Sequence, residues 1–258
     1  MTIFNAFILG LVEGITEFLP VSSTFHLIIA GKLLGLPDSS FVKLFEVVIQ
    51  SGAILSVFLL YAKDIKNNPD LVKKIFVSFL PTAAIGFLLY KTIKNVFFES
   101  NSLMIGTFFA IGLLFILVEL LVKKGVFTPK KPLSTLSYKD AFIIGLLQSL
   151  AVIPGVSRAG IVIVGTLMMG FKRSEAAYYS FLLAVPTILA AGIFDLYKSK
   201  DALSSVNNTL LLFVGFATAC IFAYLSMKWL IDFLKKNSLI GFGLYRILLT
   251  IVLIVFGV

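Results

Sequence analysis

Six apolar stretches near 42–62, 73–92, 102–122, 176–197, 208–230 and 239–257 set the first constraint on this chain. A helix of about 20 apolar residues matches the roughly 30 Å hydrocarbon core of a bilayer. The composition agrees: 59% of residues are hydrophobic and only 14% are charged, against about 25% charged in soluble domains. Too few charges remain to build a water-facing surface, so the bilayer is the solvent. Two further apolar regions resist a simple crossing. Residues 3–34 are broken by Glu13, Glu17, Pro20 and Ser22-Ser23-Thr24, and residues 140–170 by Gln148, Pro154-Gly155, Ser157 and Arg158. Each half is too short to span. Irregular backbone at membrane depth is tolerated only inside protein or against a wet cavity, so each region is read as a re-entrant helical hairpin.

The two halves of the chain match at an offset near 135 (145 − 10). Gly10-Leu-Val-Glu13 pairs with Gly145-Leu-Leu-Gln148, and Pro20-Val-Ser-Ser-Thr with Pro154-Gly-Val-Ser-Arg. Phe76-Val-Ser-Phe79 pairs with Phe213-Val-Gly-Phe216, and Ser102-Leu103 with Ser238-Leu239. Each half then holds one hairpin and three crossings, and an odd number of crossings inverts the second copy. The expected fold is an all-α integral membrane protein with six transmembrane helices and two re-entrant hairpins in an inverted-topology repeat. The first repeat covers 1–125, the linker 126–139 and the second repeat 140–258. Such repeats place their site where broken helices meet near the midplane.

Charge sets the orientation. Loops at 63–74, 123–139, 172–173 and 228–236 hold 14 of the 22 basic residues, whereas Lys32, Lys43, Lys91, Lys94, Lys198 and Lys200 lie on the other face. The first face is cytoplasmic by the positive-inside tendency, with both termini outside. The net charge of +9 belongs to those loops; no basic patch with interleaved aromatics suggests nucleic acid. A single cysteine, Cys220, excludes an intrachain disulfide and a cysteine-rich metal cluster. The first residues lack the basic region of a cleavable signal peptide, so insertion is expected to use the mature helices.

Ionisable groups at membrane depth are costly and usually functional. Glu13 and Glu17, four residues apart, share a helix face. Two adjacent carboxylates repel unless protonated or bridged by a cation. Mg²⁺ typically takes one or two carboxylates, waters and phosphate oxygens; the competing reading is a protonated pair bonded to neighbouring helices. Pro20 ends the first helix. Ser22, Ser23 or Thr24 caps the next, whose N-terminal amides would attract an anion. His26, the only histidine, is a candidate base, nucleophile or proton relay, or it only bonds a backbone carbonyl. In the second hairpin Gly155 gives a flexible turn, Ser157 a hydroxyl and Arg158 a phosphate-binding fork. Arg158 needs an anionic partner, either a substrate phosphate or Glu13 or Glu17. Gln50 and Gln148 bind substrate or water, or join helices by hydrogen bonds. Arg246 snorkels to the interface or pairs with a carboxylate. Glu46, Glu119, Glu175 and Asp195 are expected near span ends in contact with water.

At these residues the chain resembles the undecaprenyl-diphosphate phosphatase family, the bacitracin-resistance type. The resemblance covers essentially the whole chain. It is carried by Glu13-Gly-Ile-Thr-Glu17-Phe-Leu-Pro-Val-Ser-Ser-Thr-Phe-His26, Phe45-Glu-Val-Val-Ile-Gln50, Pro154-Gly-Val-Ser-Arg158, Ser180-Phe-Leu-Leu-Ala-Val-Pro186 and Tyr245-Arg246. It implies an enzyme of a bacterial plasma membrane, working from the extracytoplasmic side, that cleaves the terminal phosphate from a C55 polyprenyl diphosphate and so recycles the cell-wall lipid carrier. The catalytic set would be Glu13, Glu17, Ser23, His26 and Arg158, with a divalent cation, Mg²⁺ or Ca²⁺, on Glu13 and Glu17. Ser22, Thr24, Gln50, Gln148, Gly155 and Ser157 would contact the substrate. The attacking group is a water activated by a carboxylate or His26, the Ser23 hydroxyl assisted by His26, or His26 itself. Membrane lipids surround the protein, and a homodimer is left open. The family usually has Gly where this chain has Phe25, Ser where it has Ala159 and Thr where it has Val162; these changes add bulk in one hairpin and remove two hydroxyls near Arg158. The rival class is a polyprenyl-phosphate flippase or transporter built on the same cavity.

Overall fold

The computed structural model describes residues 1–37, 39–97, 100–198 and 209–256. Lys200 and the side chains of Lys94, Asp195 and Lys198 lie outside the described residues, as does position 257 at the end of the last apolar stretch.

The described chain is helical, and its β-type pairing is a single isolated bridge between Lys131 and Phe171. Two short helices, α1 (Ile3–Thr16) and α2 (Ser23–Leu33), form a hairpin. Three long helices follow: α3 (Ser40–Asn67), α4 (Pro69–Leu88) and α6 (Asn101–Lys123), with the single turn α5 (Tyr90–Thr92) and a π-helical turn at Ile93–Phe97 between the last two. A second hairpin of α7 (Tyr138–Gln148) and α8 (Arg158–Met168) precedes α9 (Arg173–Lys198), α10 (Thr209–Lys236) and α11 (Ile240–Phe256). Local chemistry starts these helices. Ser39, Asn68 and Ser100 each accept an amide of the first turn of α3, α4 and α6, and Ser137 with Asp140 forms a capping box on α7.

Five helices, α3, α4, α6, α9 and α10, are long and apolar enough to cross a bilayer, which makes the chain a multi-pass membrane protein. The expected sixth crossing corresponds to α11, whose 17 described residues rise about 26 Å, somewhat less than the hydrocarbon core.

Packing respects the internal repeat. α1 lies on α10 and α7 on α4; α3 lies on α10 and α9 on α4; α6 pairs with α11 and α3 with α9. Exchanging the halves turns the first four of these contacts into one another in pairs and returns each of the last two to itself. Small residues permit the approach, as is usual between membrane helices. A Cβ at Gly10 would stand 2.6 Å from the Gly215 carbonyl oxygen, and one at Gly145 would stand 2.2 Å from the Ser78 carbonyl oxygen. Each hairpin turn ends at a serine in an unusual conformation. Ser22 (φ 68°) and Ser157 (φ 73°) are the positive-φ non-glycine residues among those described. They stand 135 apart (157 − 22) and precede α2 and α8. Positive φ is uncommon for a residue with a Cβ, so its recurrence at one register marks the same turn built twice.

One expectation for charged groups fails. Glu119 is fully buried rather than hydrated. Arg173 reaches it with a bidentate fork, Nε to Oε1 at 2.8 Å and Nη2 to Oε2 at 2.5 Å, and the Leu239 amide donates to Oε1 at 2.9 Å. Glu46 lies in the second turn of α3 and is half-buried, so it keeps some access to solvent. Packing, not distance from the end of an apolar window, decides access to water. Glu175 sits as expected at a helix start, half-buried, and accepts the Leu133 amide.

Candidate active site

α1 and its C-cap residue deliver Glu13 and Glu17 to the interior of the protein. Glu13 is fully buried, and neither of its carboxylate oxygens has a hydrogen-bond partner among the described residues. Glu17, Glu46 and Arg158 are close enough to act on it electrostatically. Glu17, one turn further on, has both oxygens engaged. The Ser23 hydroxyl donates to Oε2 at 2.5 Å, and Arg158 Nη2 donates to Oε1 at 2.7 Å. The turn at 17–22 folds α2 back so that Ser23, in its first turn, meets the carboxylate six residues earlier.

Arg158 opens α8, directly after the capping residue Ser157, whose hydroxyl accepts the Gly160 amide at 3.1 Å. Its Nη1 donates to the Ser180 carbonyl at 2.8 Å, and its guanidinium lies 5.7 Å from the Phe18 ring centroid. Its Nε has no partner among the described residues. The two hairpins therefore meet at one buried contact, and of the partners open to Arg158 it takes Glu17. The arrangement joins a hydroxyl to a carboxylate and the carboxylate to a guanidinium. That is the grouping of nucleophile, base and orienting group used for covalent catalysis.

His26 is placed differently. Its Nδ1 lies 2.8 Å from the Ser22 carbonyl oxygen and its Nε2 lies 2.6 Å from the Tyr245 hydroxyl. The expected His26 assistance to Ser23 is thus absent from the hydrogen bonds, and Glu17 takes that place. Ser22 is buried and its side chain makes no cap bond; Thr24 is half-buried beside it. Gln148 is fully buried and donates to Thr82 at 2.8 Å and Thr187 at 3.3 Å, which joins α7 to α4 and α9. Gln50 is half-buried on α3, one turn after Glu46. Gly155 has φ 89°, and a Cβ there would stand 2.4 Å from the Met104 carbonyl oxygen, so only glycine lets this turn rest on α6.

The model of the bacitracin resistance protein BacA family matches residues 6–252. The chain belongs to the BacA family. Three relatives, each named undecaprenyl-diphosphatase, match along nearly the whole chain. The protein of Persephonella marina is 46% identical over 259 residues, covering 99% of each chain. That of Wolinella succinogenes is 44% identical, and that of Aquifex aeolicus 43% identical, each over 98% of this chain and 97% of the relative.

Within this BacA chain, four features of the site were not legible from sequence. They are the electrostatic influence of Glu46 on Glu13, Ser180 on Arg158, Tyr245 on His26, and Arg246. The last neither snorkels nor meets a carboxylate among the described residues. It is fully buried and donates to the carbonyls of Phe108, Pro20 and Gly155. All four residues fell inside motifs of the resemblance, but only folding shows what each one touches. The three departures from the family pattern are all buried. Phe25 stacks on Phe108 with ring centroids 3.9 Å apart, and Ala159 and Val162 lie in α8, which is buried from Ala159 to Leu167.

Among the described residues no cluster of three or more His, Cys, Asp or Glu is arranged to hold a metal ion. The Glu13–Glu17 pair is nonetheless a donor set that fits a hard divalent cation. Two carboxylates suffice when waters and phosphate oxygens complete the shell, and Glu13 keeps both oxygens uncommitted in a place where an unpaired charge is costly. A surface cavity lined by Asp64, Asp70, Lys74, Glu175 and Tyr178 among others includes none of these groups.

Proposed function

We propose that this chain is a membrane phosphatase that releases the terminal phosphate of undecaprenyl diphosphate, returning undecaprenyl phosphate to cell-wall synthesis and lowering sensitivity to bacitracin. The buried Ser23–Glu17–Arg158 chain of hydrogen bonds carries the reading. The Ser23 oxygen attacks the terminal phosphorus, and its proton passes to Glu17. The bond from phosphorus to the bridging oxygen breaks, Glu17 hands the proton on to that oxygen, and undecaprenyl phosphate leaves as a phosphoserine forms. Water then attacks the phosphorus and gives a proton to the freed Glu17 carboxylate; the bond from phosphorus to the Ser23 oxygen breaks, Glu17 returns the proton to that oxygen, and inorganic phosphate departs. Arg158 turns from Glu17 toward the phosphoryl oxygens, where a bidentate fork stabilises the developing charge. Mg²⁺ or Ca²⁺ held by Glu13 and Glu17 would neutralise charge on the diphosphate oxygens. Ser22, Thr24, Ser157, Gly155, Gln50 and Gln148 line the approach.

For topology, we read α11 as a sixth crossing and the two hairpins as re-entrant, in an inverted repeat within a bacterial plasma membrane with the site open to the outside. The interchange of helix contacts between halves and the paired turns at Ser22 and Ser157 support this. The transport alternative has no comparable observation in its favour, since the relatives all carry a phosphatase name.

The test is phosphate release from undecaprenyl diphosphate by purified protein in detergent, with Mg²⁺ or Ca²⁺ and with chelator, alongside Ser23→Ala. Cation-dependent release, lost in the variant, and acid-stable phosphate trapped on Ser23 are expected. Well-folded wild-type protein that binds substrate but releases no phosphate would sink the phosphatase reading. Full activity in Ser23→Ala would instead assign the attack to water.

A further inference from the structure

Two consecutive residues of α11 hydrogen-bond into the hairpins, Arg246 directly to turn carbonyls and Tyr245 through His26. Arg246 is wholly buried, with its guanidinium carbon 4.1 Å from the Phe108 ring centroid. Its Nη1 donates to the Pro20 carbonyl of the first turn at 3.3 Å, its Nη2 to the Gly155 carbonyl of the second turn, and its Nε to the Phe108 carbonyl of α6 at 3.0 Å. Its neighbour Tyr245 reaches the first turn through His26. The Ser22 carbonyl can only accept, so His26 Nδ1 must carry the proton. In the neutral ring Nε2 is then an acceptor, and the Tyr245 hydroxyl donates to it at 2.6 Å. The rings of His26 and Tyr245 also stack, 5.8 Å apart and 9° from parallel. Ser22, gripped in this way, is one of the two positive-φ serines and immediately precedes Ser23.

We propose that Tyr245 and Arg246 form the positioning element of the active site, holding both hairpin turns by their carbonyls so that Ser23 and Glu17 of one stand against Arg158 of the other. A single guanidinium joined to both turns fixes their separation, and His26 serves as the link between α11 and the Ser22 backbone. Catalytic geometry this dependent on the meeting of two turns is sensitive to small shifts, since a displacement near 1 Å can cost roughly 100-fold in rate. The role in catalysis rests on the phosphatase reading; the strap itself does not.

The chain has one histidine, so ¹⁵N-histidine labelling of full-length protein, purified on a histidine-free tag, reports His26 alone. The expected wild-type spectrum shows protonated Nδ1 and unprotonated Nε2. Tyr245→Phe should mix the tautomers and lower kcat several-fold, and Arg246→Lys, which keeps the charge but not the three-way fork, should lower kcat by roughly 10- to 100-fold. Activity is expressed per folded molecule, with folding followed by size exclusion and thermal unfolding. A wild-type ring protonated on Nε2 alone, or an unchanged spectrum and kcat in Tyr245→Phe, would overturn the strap. So would an Arg246→Lys protein whose loss of activity matches its loss of folded material. If wild-type protein releases no phosphate at all, the functional reading fails, and the tautomer in wild type and Tyr245→Phe then decides the strap by itself.

Discussion

Replacing Glu17 with glutamine separates the chemistry of the site from its stability. Glutamine keeps the shape and can still accept from Arg158, but it cannot take the Ser23 proton. General acid–base groups contribute about 10²–10⁴ in rate, so kcat should fall by roughly 10³-fold, equivalent to about 4 kcal/mol. The ion pair is largely buried, with side-chain exposures of 11% for Arg158 and 7% for Glu17. Its loss therefore follows the rule for buried pairs, in which removing one partner costs about 3–5 kcal/mol, rather than the small values of surface pairs. Arg158 retains the Ser180 carbonyl at 2.8 Å and gains an amide oxygen, which puts the cost near the lower end, about 3 kcal/mol. Adding Arg158→Met should recover most of that loss by removing the unpaired charge, while activity does not recover. Phosphate release and thermal unfolding in detergent measure the two effects. Glu17→Gln protein that turns over within about threefold of wild type, a difference under 1 kcal/mol, would refute the assignment of Glu17 as base.

Other perturbations probe the surrounding framework. Glu13→Gln should raise the unfolding temperature in chelator, because a buried carboxylate without hydrogen bonds is replaced by a neutral group; the extra stability that Mg²⁺ or Ca²⁺ gives the wild type should disappear, and activity with it. Arg173→Ala should cost about 3–5 kcal/mol by leaving Glu119 buried and unpaired, with activity per folded molecule unchanged, as thermal unfolding and initial rates would show. Gly145→Ala puts a Cβ 2.2 Å from the Ser78 carbonyl oxygen, so α7 and α4 must part; a loss of roughly 1–3 kcal/mol is expected, again read by thermal unfolding.

Much of this molecule is local chemistry that a chain carries on its face. The apolar windows announce helices because a bilayer leaves backbone groups no other partner, and five of the six appear at spanning length. Pro20 and the serines after it, and Pro154-Gly155 before Ser157, announce the two breaks, because proline and glycine interrupt helices wherever the chain goes. The spacing of Glu13 and Glu17 fixes them to one face, because helical period is a property of the backbone.

What each charged group touches is a different matter. Glu119 looked like a hydrated span end and is instead clasped by Arg173 in the interior. Arg246 could have met lipid headgroups or a carboxylate and instead holds three carbonyls from three separate segments. His26 is three residues from Ser23 in sequence, yet its ring turns to Tyr245, 219 positions away. These choices depend on which helices lie side by side, and that follows from close approaches such as Gly10 on α10 and Gly145 on α4. By itself the sequence determined the solvent, the helices, the two breaks and the residues able to do chemistry. The tertiary structure alone decided their partners, because a buried polar group must find its hydrogen bonds among whatever atoms the packing of distant segments brings within about 3 Å.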